Sequence, residues 1–202
     1  NMNIKKTANL LINFILNRVA EIFGIIVFIS GILLLSALFT YSPEDPNFIF
    51  PDNTEIKNIL GFQGSFISDL FFQSIGLISY LFSLTLVISG INIFISKEFF
   101  LIIENIFFSI LYLLFGSLFF AHYYSDAFTL YINGNGGFIG SFLNKSVIIS
   151  LLQFNETLSY FILIFIIIFF FLISINFNLI NFYNSLKTII KFFKKEKKKE
   201  NN

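Results

Sequence analysis

Residues 158–177 read LSYFILIFIIIFFFLISINF, and sixteen of these positions are Leu, Ile or Phe. A bilayer core of about 30 Å is crossed by about 20 helical residues, because each advances about 1.5 Å. At about 0.3–0.6 kcal/mol each, these side chains favour insertion by about 5–10 kcal/mol, against about 3 kcal/mol lost to one central charge. The stretch therefore reads as a transmembrane helix. Moving outward from it, three more long stretches lack charge: residues 22–43, 70–96 and 105–125. The predicted fold is all-α: a polytopic membrane protein with spans at 22–41, 70–96, 105–125 and 157–178. A membrane domain at 22–186 would follow a cytoplasmic or interfacial segment at 1–21 and precede a Lys-rich tail, or the start of a linker, at 187–202.

Composition agrees. The 202 residues are 56% hydrophobic and 12% charged, whereas ordinary soluble domains carry about 25% charge. With no Cys, disulfide frameworks, thiolate metal sites and cysteine nucleophiles are excluded. With one His, a metal site would have to be nearly all carboxylate. No cofactor or metal is expected.

Two shorter apolar segments complicate the count. Residues 137–154 are long enough to invite a fifth crossing, but Asn144 and Lys145 sit in the middle, where a charge is expensive. They predict a short interfacial or re-entrant helix in the second outer loop. Residues 10–16 are too few to cross and precede Arg18 and Glu21, so they are expected on the inner membrane surface. The first span is not expected to be a cleaved signal: its apolar core exceeds the usual length of about 7–15 residues, and no convincing small-residue cleavage site follows Leu38.

Cations decide the orientation, since Lys and Arg collect on cytoplasmic flanks. With four spans, one side holds Lys5, Lys6, Arg18, Lys97 and the Lys run that includes Lys187, Lys191, Lys194 and Lys195. The other holds only Lys57 and Lys145, with acids such as Glu44, Asp45, Glu55 and Asp69. Both termini are expected in the cytoplasm, with Arg18 and the Lys run as topology anchors.

The connections carry the remaining signals. The first outer loop opens with Tyr41-Ser42-Pro43-Glu44-Asp45-Pro46. Its two prolines end the first span and hold an extended turn, and Asp45 can accept local backbone hydrogen bonds. Gly61 and Gly64 predict a close backbone approach ahead of Asp69 and the second span. Residues 97–100 are so short that spans two and three must form an antiparallel hairpin. The second outer loop holds Gly134, Gly136, Gly137 and Gly140, but no Gly is followed by Lys, so it contains no nucleotide-binding loop.

Other function classes find little support. Asp69, Glu104, Asp126 and Glu156 all lie at span ends, and no polar track for a channel or transporter is evident. His122, beside Tyr123 and Tyr124, reads as part of an interfacial aromatic belt rather than a catalytic centre. Ser79 with Ser83, and Ser117 with Ala121, are small residues at helical spacing that can let helices approach. The Lys-rich end reads as a lipid contact rather than a nucleic-acid site.

Several of these features occur in one order: Arg18, Glu21 and Gly24; the Tyr41–Pro46 turn; Gly61, Gly64 and Asp69; Gly76 within Gln73-Ser74-Ile75-Gly76-Leu77; and Gly136-Gly137-Phe138-Ile139-Gly140. This order resembles the N-terminal four-span domain of the FtsK/SpoIIIE family of bacterial DNA translocases, from about residue 18 to residue 177. The resemblance implies an inner-membrane anchor at the division septum that supports cell division and chromosome segregation and tethers a cytoplasmic hexameric ATPase. Its implied partners are the lipid bilayer, other division-site membrane proteins and further copies of the chain, with no direct nucleic-acid contact. The family's motor has no counterpart in these residues, so no enzymatic activity is expected of them. Ser83 stands where the family often has Pro. The alternatives are a small four-span transporter or channel, or a standalone structural membrane protein.

Overall fold

A computed structural model describes residues 2–46, 55–125, 132–146 and 148–178. Every regular element among the described residues is a helix: α1 (Met2–Phe39), α2 (Gly61–Ile75), a 3-10 turn (Gly76–Ile78), α3 (Ser79–Ser96), α4 (Leu101–Tyr123), α5 (Gly137–Asn144), α6 (Ile148–Phe154) and α7 (Glu156–Ser174). Four stretches are long and apolar enough to cross a membrane: Lys6–Phe39, Gly61–Ser96, Leu101–Tyr123 and Glu156–Ser174.

Helix α1 departs from the expectation of a separate surface segment. It runs unbroken through residues 10–21, and Arg18 pairs with Glu21 one turn on, a spacing that supports a helix rather than ending one. Its 38 residues reach about 57 Å, nearly twice the bilayer core. Only the part from Ala20 onward is packed; residues 6–19 are exposed.

The second span is also not one rod. The chain breaks at Gly76, and Phe71 stacks on Phe82 with ring centroids 5.7 Å apart. Eleven residues of straight helix would separate them by about 16 Å, so the chain bends sharply here. Residues 137–154 form two helices of 8 and 7 residues, each far too short to cross. Helix α4 starts at Leu101 rather than 105, which places Glu104 in its first turn, where a carboxylate favours the helix dipole. Helix α7 ends at Ser174 rather than 178. Its start is fixed by Asn155, whose side chain accepts the Leu158 N–H at 3.0 Å.

The bundle consists of two antiparallel pairs, α1 with α3 and α4 with α7. Glycine sets the first pair's spacing. A Cβ on Gly90 would lie 2.4 Å from the Phe28 nitrogen, and one on Gly24 or Gly31 would lie 2.7 Å from the Phe94 or Val87 nitrogen. In lipid, where hydrophobic driving force between helices is weak, such close packing is the main source of association. The second pair packs through rings, with Tyr112 edge-on to Phe171 at 5.8 Å and Phe115 stacked on Phe170 at 6.3 Å.

The pairs join along α3 and α4 through buried polar groups. Tyr112 and Thr85 hydroxyls lie 2.7 Å apart, and Asn105 Nδ2 donates to Ser89 Oγ at 2.9 Å. No polar track stands out in the sequence because none of these groups is ionised at neutral pH. Ser83 and Ser109 donate back to the Tyr80 and Asn105 carbonyls, so the hydroxyls of the seam are paired, while Asn105 Oδ1 is buried without a partner among the described residues. In hydrocarbon an unmet hydroxyl is expensive, so this internal pairing is what lets the residues be buried.

Candidate functional site

The bundle has a hairpin end, at residues 97–100, and a loop end, where the two long connections lie. Sequence-selected residues gather at the loop end in two interlocked clusters.

The first begins where α1 stops. Ser42 to Asp45 form a turn, with Asp45 N–H donating to the Ser42 carbonyl at 3.2 Å and Pro43 supplying the fixed φ at its second position. The Asp45 carboxylate is fully buried and accepts two backbone N–H groups, from Lys57 at 2.8 Å and Asn58 at 2.9 Å. It thereby pins the return of the loop to its own start. Pro46 holds the next link: its carbonyl accepts Ser65 Oγ at 3.1 Å. Asn58, which no sequence signal singled out, then closes α1. Its Nδ2 donates to the Ala37 carbonyl at 2.9 Å, and Tyr80 Oη donates to the Leu38 carbonyl at 3.1 Å. These are the last-turn carbonyls that a helix leaves unpaired.

Gly64 and Gly61 serve different needs. A Cβ on Gly64 would lie 2.1 Å from Asn58 Oδ1, so close approach requires glycine there. At Gly61 nothing lies within 4 Å; its φ of +65° is the reason for glycine. Tyr41 Oη donates to Asp69 at 3.1 Å, while the Tyr41 ring packs edge-on to Phe72 at 4.8 Å. At the surface, Lys57 reaches Glu44; this contact holds the Glu44 carboxyl below its ordinary value and the Lys57 ammonium above its own.

The second cluster sits at the Gly76 break. Helix breaks free backbone groups, and here the second long connection and α4 supply partners for them. Leu77 N–H donates to the Asn135 carbonyl at 2.9 Å, and Ser117 Oγ of α4 donates to the Ile75 carbonyl at 2.9 Å. Gly76 has φ +73° and ψ −149°, a region essentially closed to other residues. A Cβ on Gly76 would lie 2.0 Å from the Asn135 carbonyl oxygen, and one on Gly137 would lie 2.6 Å from the Gly76 nitrogen. Cβ atoms on Gly136 and Gly140 would lie 2.3 and 2.2 Å from the Ser117 carbonyl oxygen. Ser117 and Ala121 are thus the floor on which α5 rests. His122 Nδ1 meets Asn144 Oδ1 at 3.1 Å and the Tyr124 and Tyr160 hydroxyls meet at 3.0 Å, tying α4 to α5 and α7.

Gln73 connects the clusters: its side-chain amide donates to Asp69 at 3.4 Å, and its backbone carbonyl accepts Asn133 Nδ2 at 3.2 Å. Tyr41, Pro43, Asp45, Pro46, Gly61, Gly64, Asp69, Gly76, Gly136, Gly137 and Gly140 therefore belong to one hydrogen-bonded cap over the two helix pairs. Both buried carboxylates in it accept hydrogen bonds from neighbouring protein groups. No group of three His, Cys, Asp or Glu able to hold a metal exists among the described residues. Arg18 lies at the hairpin end, where Glu21 pairs with it and with Lys97 at 3.1 Å. Lys187, Lys191, Lys194 and Lys195 lie outside the described residues.

A polytopic helical membrane module with a hydrogen-bonded loop cap is the class these features define. The family described as the 4TM region of DNA translocase FtsK/SpoIIIE matches residues 17–187. The chain belongs to that family. No curated protein and no solved structure matches it.

Proposed function

We propose that the chain is the membrane-anchoring domain of an FtsK-like DNA translocase, tethering the motor at the division septum of the bacterial inner membrane with both ends in the cytoplasm. The observation that carries this reading is family membership over residues 17–187. The cation asymmetry supports the sidedness, because Lys5, Lys6, Arg18, Lys97 and the Lys run fall on the hairpin side while the loop side holds only Lys57 and Lys145. Four spans resist extraction far better than lipid chains, as an anchor under load must. The Lys run then fixes the exit of the fourth span and begins the linker to the motor.

The loop cap is the surface offered to other division-site membrane proteins, and homo-oligomers would place several caps side by side. Direct nucleic-acid binding belongs to the motor, not to these residues. A fluorescent fusion carrying Pro43→Ala, Asp45→Ala and Pro46→Ala tests the reading: insertion persists while septal recruitment falls. Normal septal localisation and division of that variant contradict it. The transporter alternative draws on the buried polar seam between α3 and α4; solute flux through the purified chain in liposomes would favour it.

A further inference from the structure

At the hairpin end, the unpacked start of α1 stands beside the α3–α4 turn and leaves a groove of about 680 Å³, a size that encloses ligands or several side chains. Asn13 and Asn17 line one wall and Glu98 and Glu104 the other, with Leu16, Val19, Phe99 and Phe100 supplying apolar surface. Lys97, also in the lining, is engaged by Glu21 at 3.1 Å. Glu98 and Glu104 have no ion pair among the described residues. The groove is therefore apolar with a net acidic wall. An anionic lipid headgroup is a poor occupant, since both free carboxylates repel it; a segment that interleaves Lys with large apolar residues is a good one.

The chain holds such a segment. Residues 187–195 alternate Lys with Ile and Phe and contain no acid. Their attachment point is close: Asn92 Nδ2 of α3 donates to the Ile175 carbonyl at 2.7 Å, and Asn92 is only about 7.5 Å of helix from Lys97. The intervening residues 179–186 can extend to about 28 Å, so the tether spans the distance. An intramolecular segment on such a tether acts at an effective concentration of about millimolar.

We propose that this groove is the docking site for the chain's own residues 187–195, with Lys187, Lys191, Lys194 and Lys195 against Glu98 and Glu104, and the interleaved Ile and Phe over the apolar wall. The exit of the fourth span is thereby latched to the first helix, and the latch does not depend on which side of the membrane it faces.

The chain has no Cys, so disulfide trapping reads the contact directly. The full chain carrying Leu16→Cys and Phe192→Cys, in nanodiscs of phosphatidylethanolamine and phosphatidylglycerol, should form an intramolecular disulfide several-fold faster than the pair Ile29→Cys and Phe192→Cys. Glu98→Gln with Glu104→Gln, or about 1 M salt, where the Debye length falls to about 3 Å, should reduce that rate several-fold. A circular-dichroism melt matching the unsubstituted chain shows that the variant is folded. Equal rates for the two pairs, a disulfide between two copies, or a rate unchanged by the Glu substitutions overturns the proposal. So does a Phe192→Cys spin label reporting depth in the bilayer.

Discussion

Replacing Gly76 with Ala tests whether the break in the second span is held by the second long connection. The backbone there lies in a glycine-only region, and forcing a Cβ into it costs about 1–3 kcal/mol. The new Cβ would also sit 2.0 Å from the Asn135 carbonyl oxygen, so the loop must withdraw. Withdrawal lengthens the Leu77–Asn135 hydrogen bond, a further net loss of about 0.5–1.5 kcal/mol. The sum, about 2–4 kcal/mol, is a large share of a domain stability of about 5–15 kcal/mol. At about 2–4 °C per kcal/mol, the thermal midpoint should drop by about 4–16 °C. The chain has no Trp, so circular dichroism at the helix band in detergent or nanodiscs is the suitable readout. Gly61→Ala is the control: it shares a positive φ but meets nothing within 4 Å, and so loses only the conformational part. Gly137→Ala attacks the same contact from the other side, and its effect should be sub-additive with that of Gly76→Ala. If Gly76→Ala destabilises no more than Gly61→Ala, the junction does not hold the break and the reasoning fails.

Other outcomes follow from the same contacts. Asp45→Ala removes the acceptor of two backbone N–H groups, the buried one of Asn58 and the part-buried one of Lys57, and should destabilise by about 1–4 kcal/mol, whereas Glu44→Gln should leave the midpoint where it is; a pair of thermal melts checks both. The Glu44 value is lowered, so whatever the Lys57 contact contributes is present above the ordinary glutamate range and disappears as pH falls through the lowered value; melts of the two chains across that range should superimpose. Ser117→Ala should lose about 0.5–1.5 kcal/mol by removing the side-chain hydrogen bond to the Ile75 carbonyl, measured in the same melts. Gly90→Leu should separate α1 from α3, and a spin-label pair at Ile26 and Ile91 should report a longer distance than in the unsubstituted chain.

Sequence legibility followed the range of the interactions. The four spans are visible because insertion depends on local composition, and the Pro43–Asp45–Pro46 turn because proline acts on its neighbours. The partners were not visible. Asp45 reaches Lys57 and Asn58, Gln73 reaches Asn133, and Leu77 reaches Asn135; no periodicity links positions so far apart. The bend at Gly76 was hidden because an apolar run reads alike through a straight helix and a broken one. At Arg18 and Glu21 the charges resemble a boundary in the sequence, yet the i,i+3 pair sits inside a continuous helix. Ser117 and Ala121 appeared as an unremarkable small-residue pair; only the loop laid on them gives them their role.

The proposed topology has an even number of crossings, with the loop cap on one face of the membrane and both chain ends on the other. Because the chain lacks Cys, a single Cys at Asn53 or at Asn202 can be probed in intact cells with a membrane-impermeant thiol reagent. Asn53→Cys should label from outside, and Asn202→Cys only after the cells are permeabilised. Labelling of Asn202→Cys in intact cells, or protection of Asn53→Cys, contradicts the account.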